Sequence, residues 1–169
     1  MIRSTPVVID AGPIIHLDEL ECLDLLDDFV SLHTTVKVRN EVIRHRPSLD
    51  LSSLRTLTIH NLDRPSISPN LLAAIEAFDL DAGEISAMLL FDILRASIFF
   101  CDDSAARLAA ESQGYRVHGT IGIVIRAIRR GLRTHNEVLT ILDEISVKSS
   151  LYIKSSLLAD IRRQVASSI

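Results

Sequence analysis

The stretch Val7-Val8-Ile9-Asp10-Ala11-Gly12-Pro13 decides the fold class. Three consecutive apolar residues, followed by an acid and then by Gly and Pro, are typical of a buried parallel strand that turns into a helix. A second apolar run, Ile98-Phe99-Phe100-Cys101, also ends in acid, at Asp102-Asp103. Shorter strands are expected at 54–59 and 116–118. Because these strands alternate with helical patterns, we predict an α/β fold with a parallel sheet and helices on both faces.

The helical patterns fill most of the remaining chain. Local signals mark where several of these helices begin and end. A helix start is indicated by Pro69 after Ser68 and by Thr134 three residues before Glu137, and a helix end by a following glycine. The predicted helices are 14–29 with a break near 19–22, 36–44, one starting at 68–69, 81–95, one ending at 113, 119–130, one starting at 134, and 155–168. No linker or repeat is visible, so we expect residues 1–169 to form a single domain.

Composition excludes several classes of protein. The chain has 169 residues, of which 47% are hydrophobic and 24% charged, as expected for a globular domain. The low aromatic content, 4%, argues against a base-stacking RNA platform. Two distant cysteines form no zinc or disulfide pattern, so a reducing cytoplasm is the expected location. Asp92 and Arg95 interrupt the most apolar stretch, so no membrane span is predicted.

The net charge of −4 hides a division along the chain. Residues 1–103 hold 8 basic and 17 acidic side chains, whereas residues 104–169 hold 10 basic and 5 acidic ones. The two parts therefore carry net charges of −9 and +5. Such asymmetry indicates separate electrostatic roles for the two parts.

Acids that follow two apolar strands predict a metal site. In open α/β sheets ligands bind beyond the carboxyl ends of the strands, and neighbouring strands would bring Asp10 close to Asp102 and Asp103. Crowded carboxylates raise one another's pKa, and a divalent cation such as Mg²⁺ or Mn²⁺ relieves the repulsion. The structural alternative is that each Asp only caps the following helix. We weigh the two interpretations about equally from these residues alone.

Further acids have both structural and functional interpretations. Asp81-Ala82-Gly83-Glu84 has the pattern of a capping box, but it opens a largely apolar helix whose first turn would lie near the ligand-binding edge. Glu84 is the better functional candidate, with Asp81 as the alternative. Glu41, within Val38-Arg39-Asn40-Glu41-Val42, reads by itself as a surface helix residue.

Four arginines form a candidate RNA-binding stripe. Arg126, Arg129, Arg130 and Arg133 would share one helix face if the helix persists to Arg133. Arginine binds phosphate through two parallel hydrogen bonds, so the stripe could contact an RNA backbone. The alternative interpretation is an ordinary solvated face.

Taken together, the motifs resemble those of the PIN-domain family, the fold of VapC-type toxin nucleases, and in particular a compact prokaryotic PIN-like subgroup. The stretches around Asp10 and Glu41 look like the first two motifs. Leu80-Asp81-Ala82-Gly83-Glu84 and Phe100-Cys101-Asp102-Asp103-Ser104 are similar to the third and fourth. The segment 114–122 is typical of the subgroup. Many relatives carry Ser or Thr where this chain has Gly12.

The resemblance covers about residues 5–133 and implies a three-layer α/β/α sandwich with a parallel sheet of about five strands. Residues 134–169 would form a C-terminal helical extension. It implies Mg²⁺- or Mn²⁺-dependent cleavage of RNA, with Asp10, Glu41, Glu84 and Asp103 as catalytic metal ligands. Asp103 is favoured over Asp102 as the fourth ligand. A homodimer, and a toxin role with an antitoxin partner, are further implications. The rival hypothesis is a non-catalytic PIN-like module that binds RNA or protein.

Overall fold

The structure is a computed structural model and describes residues 5–63 and 65–168. Its strands are β1 (Val7–Ile9), β2 (Leu32–Thr35), β3 (Leu57–His60), β4 (Ile98–Phe100) and β5 (Val117–His118). Its α-helices are α1 (Ala11–Glu19), α2 (Val36–His45), α3 (Pro69–Phe78), α4 (Ala82–Leu94), α5 (Ser104–Ser112), α6 (Thr120–Arg129), α7 (His135–Lys148) and α8 (Ser155–Ser167). Two short 3-10 helices lie at Leu23–Asp28 and Leu51–Ser53.

The five strands form one parallel sheet in the order β3-β2-β1-β4-β5. The central strand β1 pairs with β2 on one side and with β4 on the other, so that Val8 lies opposite His33 and Phe99. Val8 and Ile9 are fully buried, which agrees with the continuous apolar run that predicted this strand. Helices flank the sheet, and the predicted α/β/α sandwich with five parallel strands is confirmed.

Strand β2 has no counterpart in the sequence-based prediction. Its sequence, Leu-His-Thr-Thr, is too polar to stand out as a buried strand, yet three of its four residues are buried. Hydrogen bonds make this burial possible. The Thr34 hydroxyl donates to the Ile9 carbonyl at 2.8 Å, and the Thr35 hydroxyl accepts from the Val38 N–H at the start of α2. Both hydroxyls are thus satisfied inside the protein, which removes the penalty for burying them.

The helix ends follow local chemistry at most positions. Ser68 caps α3, and both predicted capping boxes, at Asp81 and Thr134, are present. Gly114 and Gly131 follow helices with positive φ angles of 80° and 68°. The segment predicted as helix at 14–29 differs, because α1 already begins at Ala11 and residues 23–28 form a 3-10 helix.

The C-terminal helices extend the sandwich. Helix α7 packs against α6, and α8 packs against α7. The buried residues of α7, Val138, Ile141, Leu142 and Ile145, recur at the 3- and 4-residue spacing of an apolar helix face. Among residues 5–63 and 65–168, no helix is long and apolar enough to cross a membrane.

Candidate functional site

The candidate site lies at the carboxyl edge of the sheet, where β1 and β4 run side by side. The Asp10 N–H donates to the Phe100 carbonyl at 2.9 Å, which ties the end of β1 to the end of β4. The acidic runs that follow these strands are therefore neighbours, as the sequence predicted. Asp10 also occupies the N-cap position of α1, but its side chain makes no capping hydrogen bond. Its carboxylate is thus available for another partner.

The Asp10 side chain is buried with an unsatisfied acceptor. The residue is only 5% exposed, and its Oδ1 has no hydrogen-bond partner among the described residues. Its Oδ2 accepts a weak contact from the Cys101 thiol at 3.7 Å. Burial raises the pKa of Asp10 to about 8, and the negative charges of Glu41, Glu84 and Asp81 contribute further. A buried acid in this state favours a proton or a cation.

Glu41 reaches this edge from α2 through the space beside a glycine. A Cβ built on Gly83 would stand 2.7 Å from Glu41 Oε2 and 3.2 Å from Asp81 Oδ1. A larger residue at 83 would therefore push the Glu41 carboxylate away from its place between α2 and α4. Burial raises the pKa of Glu41, and the neighbouring Asp81 raises it further. Glu41 is thus a member of the acidic cluster and differs from an ordinary surface helix residue.

Asp81 and Glu84 both cap α4 and contribute charge to the cluster. Asp81 Oδ1 accepts from the Glu84 N–H at 2.9 Å, and Glu84 Oε2 accepts from the Asp81 N–H at 2.9 Å. Burial raises the pKa of Glu84 to about 7, and the charges of Asp81, Asp103 and Glu41 act in the same direction. The structural and the functional interpretations of this motif are therefore compatible.

Asp102 and Asp103 face different surroundings. Asp103 Oδ1 accepts from the Ala106 N–H and caps α5, and its charge raises the pKa of Glu84, so it belongs to the acidic cluster. Asp102 has both oxygens occupied elsewhere. Its Oδ1 accepts from the Thr120 N–H at 2.8 Å, and its Oδ2 contacts Thr120 Oγ1 at 2.6 Å and His16 Nδ1 at 2.7 Å.

Two glycines make room for the Asp102 carboxylate. A Cβ on Gly119 would stand 2.4 Å from Asp102 Oδ1, closer than real contacts allow. A Cβ on Gly12 would stand 3.4 Å from Asp102 Cβ and 3.6 Å from His16 Cε1. Gly12 therefore lies directly beside the Asp102 and His16 pair. The sequence analysis did not single out His16 or Thr120, although Thr120 lies within the segment 114–122 that is typical of the subgroup.

The acidic cluster forms no ion pair with a basic side chain among the described residues. In the described part of the chain, neither Lys nor Arg forms an ion pair with Asp10, Glu41, Glu84 or Asp103. Nor do residues 5–63 and 65–168 contain three or more His, Cys, Asp or Glu side chains already arranged to hold a metal ion. Mutual repulsion is a physical reason for carboxylates to stand apart when nothing positive lies between them.

The profile of one protein family, described as a PIN domain, matches residues 6–167. The chain belongs to the PIN-domain family. PIN domains are generally nucleases, so the acidic edge of this PIN domain lies in a nuclease fold. A comparison with curated proteins gave no match.

Three of the four stripe arginines are engaged within this PIN domain. Arg126 and Arg130 both pair with Asp28, at 2.8 and 3.0 Å, and Arg133 pairs with Asp24 at 2.7 Å. The Arg126 guanidinium also lies 4.7 Å from the centre of the Phe29 ring. Helix α6 ends at Arg129, so Arg133 lies beyond it and the condition for one continuous helix face is not met. Arg129 has no acidic partner among the described residues.

Proposed function

We propose that this PIN domain is a Mg²⁺- or Mn²⁺-dependent endoribonuclease whose acidic cluster hydrolyses RNA phosphodiester bonds. The observation that supports this most directly is the buried, unpartnered Oδ1 of Asp10 among three other acids. A buried acceptor without a donor is costly, and structural roles do not explain it. A divalent cation would satisfy the oxygen and offset the repulsion that raises these pKa values.

The residues present fit a hard cation. Their side chains offer carboxylate oxygens, the ligands that Mg²⁺ and Mn²⁺ prefer. We propose Asp10, Glu41, Glu84 and Asp103 as the holding residues, with Asp81 as an additional candidate. When bound, the ion would lower the pKa of a bound water and stabilise charge on the phosphate.

The chain's own residues have distinct tasks in this proposal. Asp10 anchors the site because its position is set by β1 and by the bond to the Phe100 carbonyl. To hold a cation, the Glu84 carboxylate would give up its hydrogen bond from the Asp81 N–H and turn toward the other acids of the cluster. Burial raises the pKa of the Cys101 thiol, which therefore stays protonated and donates toward Asp10. We assign Asp102 a positioning role, because both of its oxygens are already hydrogen-bonded.

The wider predictions remain part of the proposal. RNA is the expected substrate, and Arg129 is the stripe arginine that needs no rearrangement to meet a phosphate. Arg126, Arg130 and Arg133 would first have to leave Asp24 and Asp28. A toxin role with an antitoxin partner, a homodimer and a cytoplasmic location rest on the resemblance to VapC-type proteins and on two buried free cysteines.

The rival proposal, a non-catalytic binding module, makes a different structural expectation. A PIN-like site that has lost its metal role would gain a Lys or Arg bracing its acids. Within the described residues Asp10, Glu41, Glu84 and Asp103 have no such partner, and this observation supports the nuclease.

The decisive experiment compares wild type with Asp10→Asn on a mixed RNA panel, with and without Mn²⁺. Asn keeps the shape of Asp but removes the charge that would hold the cation, so we expect cleavage to fall at least about 100-fold. Asp50→Asn is the matched control, because Asp50 is an exposed helix cap outside the cluster. If Mn²⁺ and Asp10→Asn both leave the cleavage rate unchanged, the proposed function is wrong.

A further inference from the structure

A second charged surface lies along the outer strand β5, beside the acidic cluster. We call it the β5 edge and define it by the side chains of Arg107, Arg116, His118, Arg129, Tyr152 and Lys154. Arg116 donates to His118 Nε2 at 3.2 Å, and Arg107 and His118 line the same cleft. Burial lowers the pKa of His118, and the charges of Arg116, Arg107 and Arg129 lower it further. Several positive charges thus converge on the last residue of β5.

The cations of the β5 edge are not neutralised within the described chain. Arg107 donates to the Cys101 carbonyl at 3.0 Å, and Arg116 donates to His118 Nε2 at 3.2 Å. None of Arg107, Arg116, Arg129 and Lys154 forms an ion pair with an acid of residues 5–63 or 65–168. By contrast, Asp24 and Asp28 of the 3-10 helix Leu23–Asp28 pair with Arg126, Arg130 and Arg133, so this chain does neutralise arginines that stabilise its fold.

An open cleft of about 530 Å³ lies within this surface. The first turns of α5 and α6 form one wall, with Ser104 and Arg107, and the segment before α8 forms the other, with Tyr152 and Lys154. Asp102 and Ser104, the two chain neighbours of Asp103, both line it. The cleft therefore begins next to the acidic cluster.

Tyr152 gives the cleft an aromatic wall. It is 85% exposed, so most of its apolar ring faces water without a partner in the described chain. Aromatic rings beside unpaired cations suit a single-stranded nucleic acid, in which an unpaired base stacks on the ring while phosphates meet the cations. A duplex would present phosphates but no free base face, and an acidic peptide would use the cations without needing the ring.

We propose that the β5 edge binds single-stranded RNA adjoining the scissile phosphate, with Arg116, Arg129 and Lys154 contacting phosphates and Tyr152 stacking on a base. This inference rests on the proposed nuclease function, since the RNA held at the β5 edge would be the same molecule that is cleaved at the acidic cluster. The low aromatic content argues against a base-stacking platform of several rings, but one exposed aromatic residue suffices for one stacking contact.

The test measures binding of a fluorescent single-stranded RNA in EDTA, where metal-dependent cleavage is suppressed, by anisotropy over a series of salt concentrations. We expect Arg116→Gln/Lys154→Gln to weaken binding about 10-fold and to reduce the log K against log salt slope by roughly 1.4, or 0.7 per lost phosphate contact. We expect Tyr152→Leu to weaken binding about 5-fold or more and Tyr152→Phe to retain it.

The matched control is Arg55→Gln/Arg95→Gln. It removes the same charge from two exposed arginines that do not belong to the β5 edge as defined above. Equal losses in the two double variants would overturn the proposal, because binding would then follow net charge alone. Competition by polyglutamate as strong as by RNA, with Tyr152→Leu unchanged, would also overturn it and indicate an acidic protein partner.

Cleavage of the same RNA in Mn²⁺, measured in parallel, separates this inference from the proposed function. Selective loss of binding in a protein that cleaves no RNA would support the β5 edge and contradict the nuclease. Undiminished binding by Arg116→Gln/Lys154→Gln in a protein that cleaves RNA would contradict the β5 edge and leave the nuclease standing.

Discussion

Asp10 and Asp102 show how one residue type at two neighbouring strand ends acquires opposite chemistry. Asp102 accepts hydrogen bonds from the backbone and hydroxyl of Thr120 and contacts His16, so its charge is stabilised locally. Asp10 has an unpartnered oxygen and acidic neighbours, so its charge is destabilised. The unsatisfied carboxylate is the one suited to an external cation.

The raised pKa of Asp10 predicts a pH dependence of stability in EDTA. Between about pH 4 and 8 the folded protein holds a proton on Asp10 that the unfolded chain has lost, so the free energy of unfolding falls as the pH rises. Asp10→Asn removes this contribution. We expect wild type to lose up to about 1 kcal/mol more per pH unit than the variant in thermal or urea unfolding. Parallel stability curves for the two proteins would contradict the assignment.

Gly119 is expected to be irreplaceable because of Asp102. An alanine Cβ would overlap Asp102 Oδ1, so Gly119→Ala should displace this carboxylate and destabilise the protein by about 1–3 kcal/mol. Gly122→Ala in the same helix is the control. Its Cβ would stand 3.5 Å from the nearest atom, and alanine favours helix, so the variant should be neutral or slightly more stable. Equal denaturation midpoints for both variants would refute the steric argument.

At the scale of elements, Arg126 of α6, together with Arg130 and Arg133 that follow α6, holds the 3-10 helix Leu23–Asp28 against the sandwich. Asp28 is only 9% exposed at its side chain and accepts from two arginines. Phe29 packs edge-on against Phe100 of β4 and lies beneath Arg126, so apolar and ionic contacts reinforce each other. This explains why three of the four stripe arginines serve the fold.

Asp28→Asn is therefore expected to cost more stability than Asp24→Asn. Asp28 loses charge-assisted hydrogen bonds in a largely buried position, which should cost about 1–2 kcal/mol in chemical denaturation. Asp24 is 58% exposed and forms a surface pair with Arg133, so its substitution should cost at most about 1 kcal/mol. A larger loss of stability in Asp24→Asn than in Asp28→Asn would contradict this role of Asp28.

For the whole molecule, the charge division becomes spatial in the folded chain. The acidic cluster and the β5 edge both lie by the carboxyl ends of the strands, because a parallel sheet brings those ends to one side. The net charge of −4 hides this arrangement, in which a candidate cation site lies beside a candidate phosphate-binding surface. The acidic cluster, from residues 1–103, and the β5 edge, from residues 104–169, are thus parts of one candidate RNA-binding face.

Divalent metal is expected to stabilise the whole fold. At a concentration 100 times its dissociation constant, Mn²⁺ should stabilise the wild type by on the order of 2–3 kcal/mol, or about 4–12 °C in Tm at pH 8. Asp10→Asn should show a much smaller shift, and EDTA should reverse the wild-type shift. If Mn²⁺ raises the Tm of both proteins equally, the ion binds elsewhere.

Much of this fold and site could be predicted from local patterns. The apolar runs of β1 and β4, the capping boxes at Asp81 and Thr134 and the order of the acids all depend on residues close in sequence. Strand β2 could not be predicted this way, since the burial of Thr34 and Thr35 depends on hydrogen-bond partners distant in sequence, the Ile9 carbonyl and the Ser86 hydroxyl. The predicted arginine stripe failed to anticipate Asp24 and Asp28 because those partners lie about 100 residues away.

The sequence by itself determined the fold class, the strand-end position of Asp10 and the family to which the chain belongs. Short-range periodicity and capping chemistry carry that information, because neighbouring residues need no tertiary contact to express it. Only the tertiary structure decided that Asp102 turns toward His16 and Thr120 while Asp103 joins the acidic cluster. It also decided that Arg116, Arg129 and Lys154 form no ion pair with an acid of the described residues. These outcomes depend on packing between segments far apart in the chain, where hydrogen-bond partners and burial, rather than residue type, set each side chain's role.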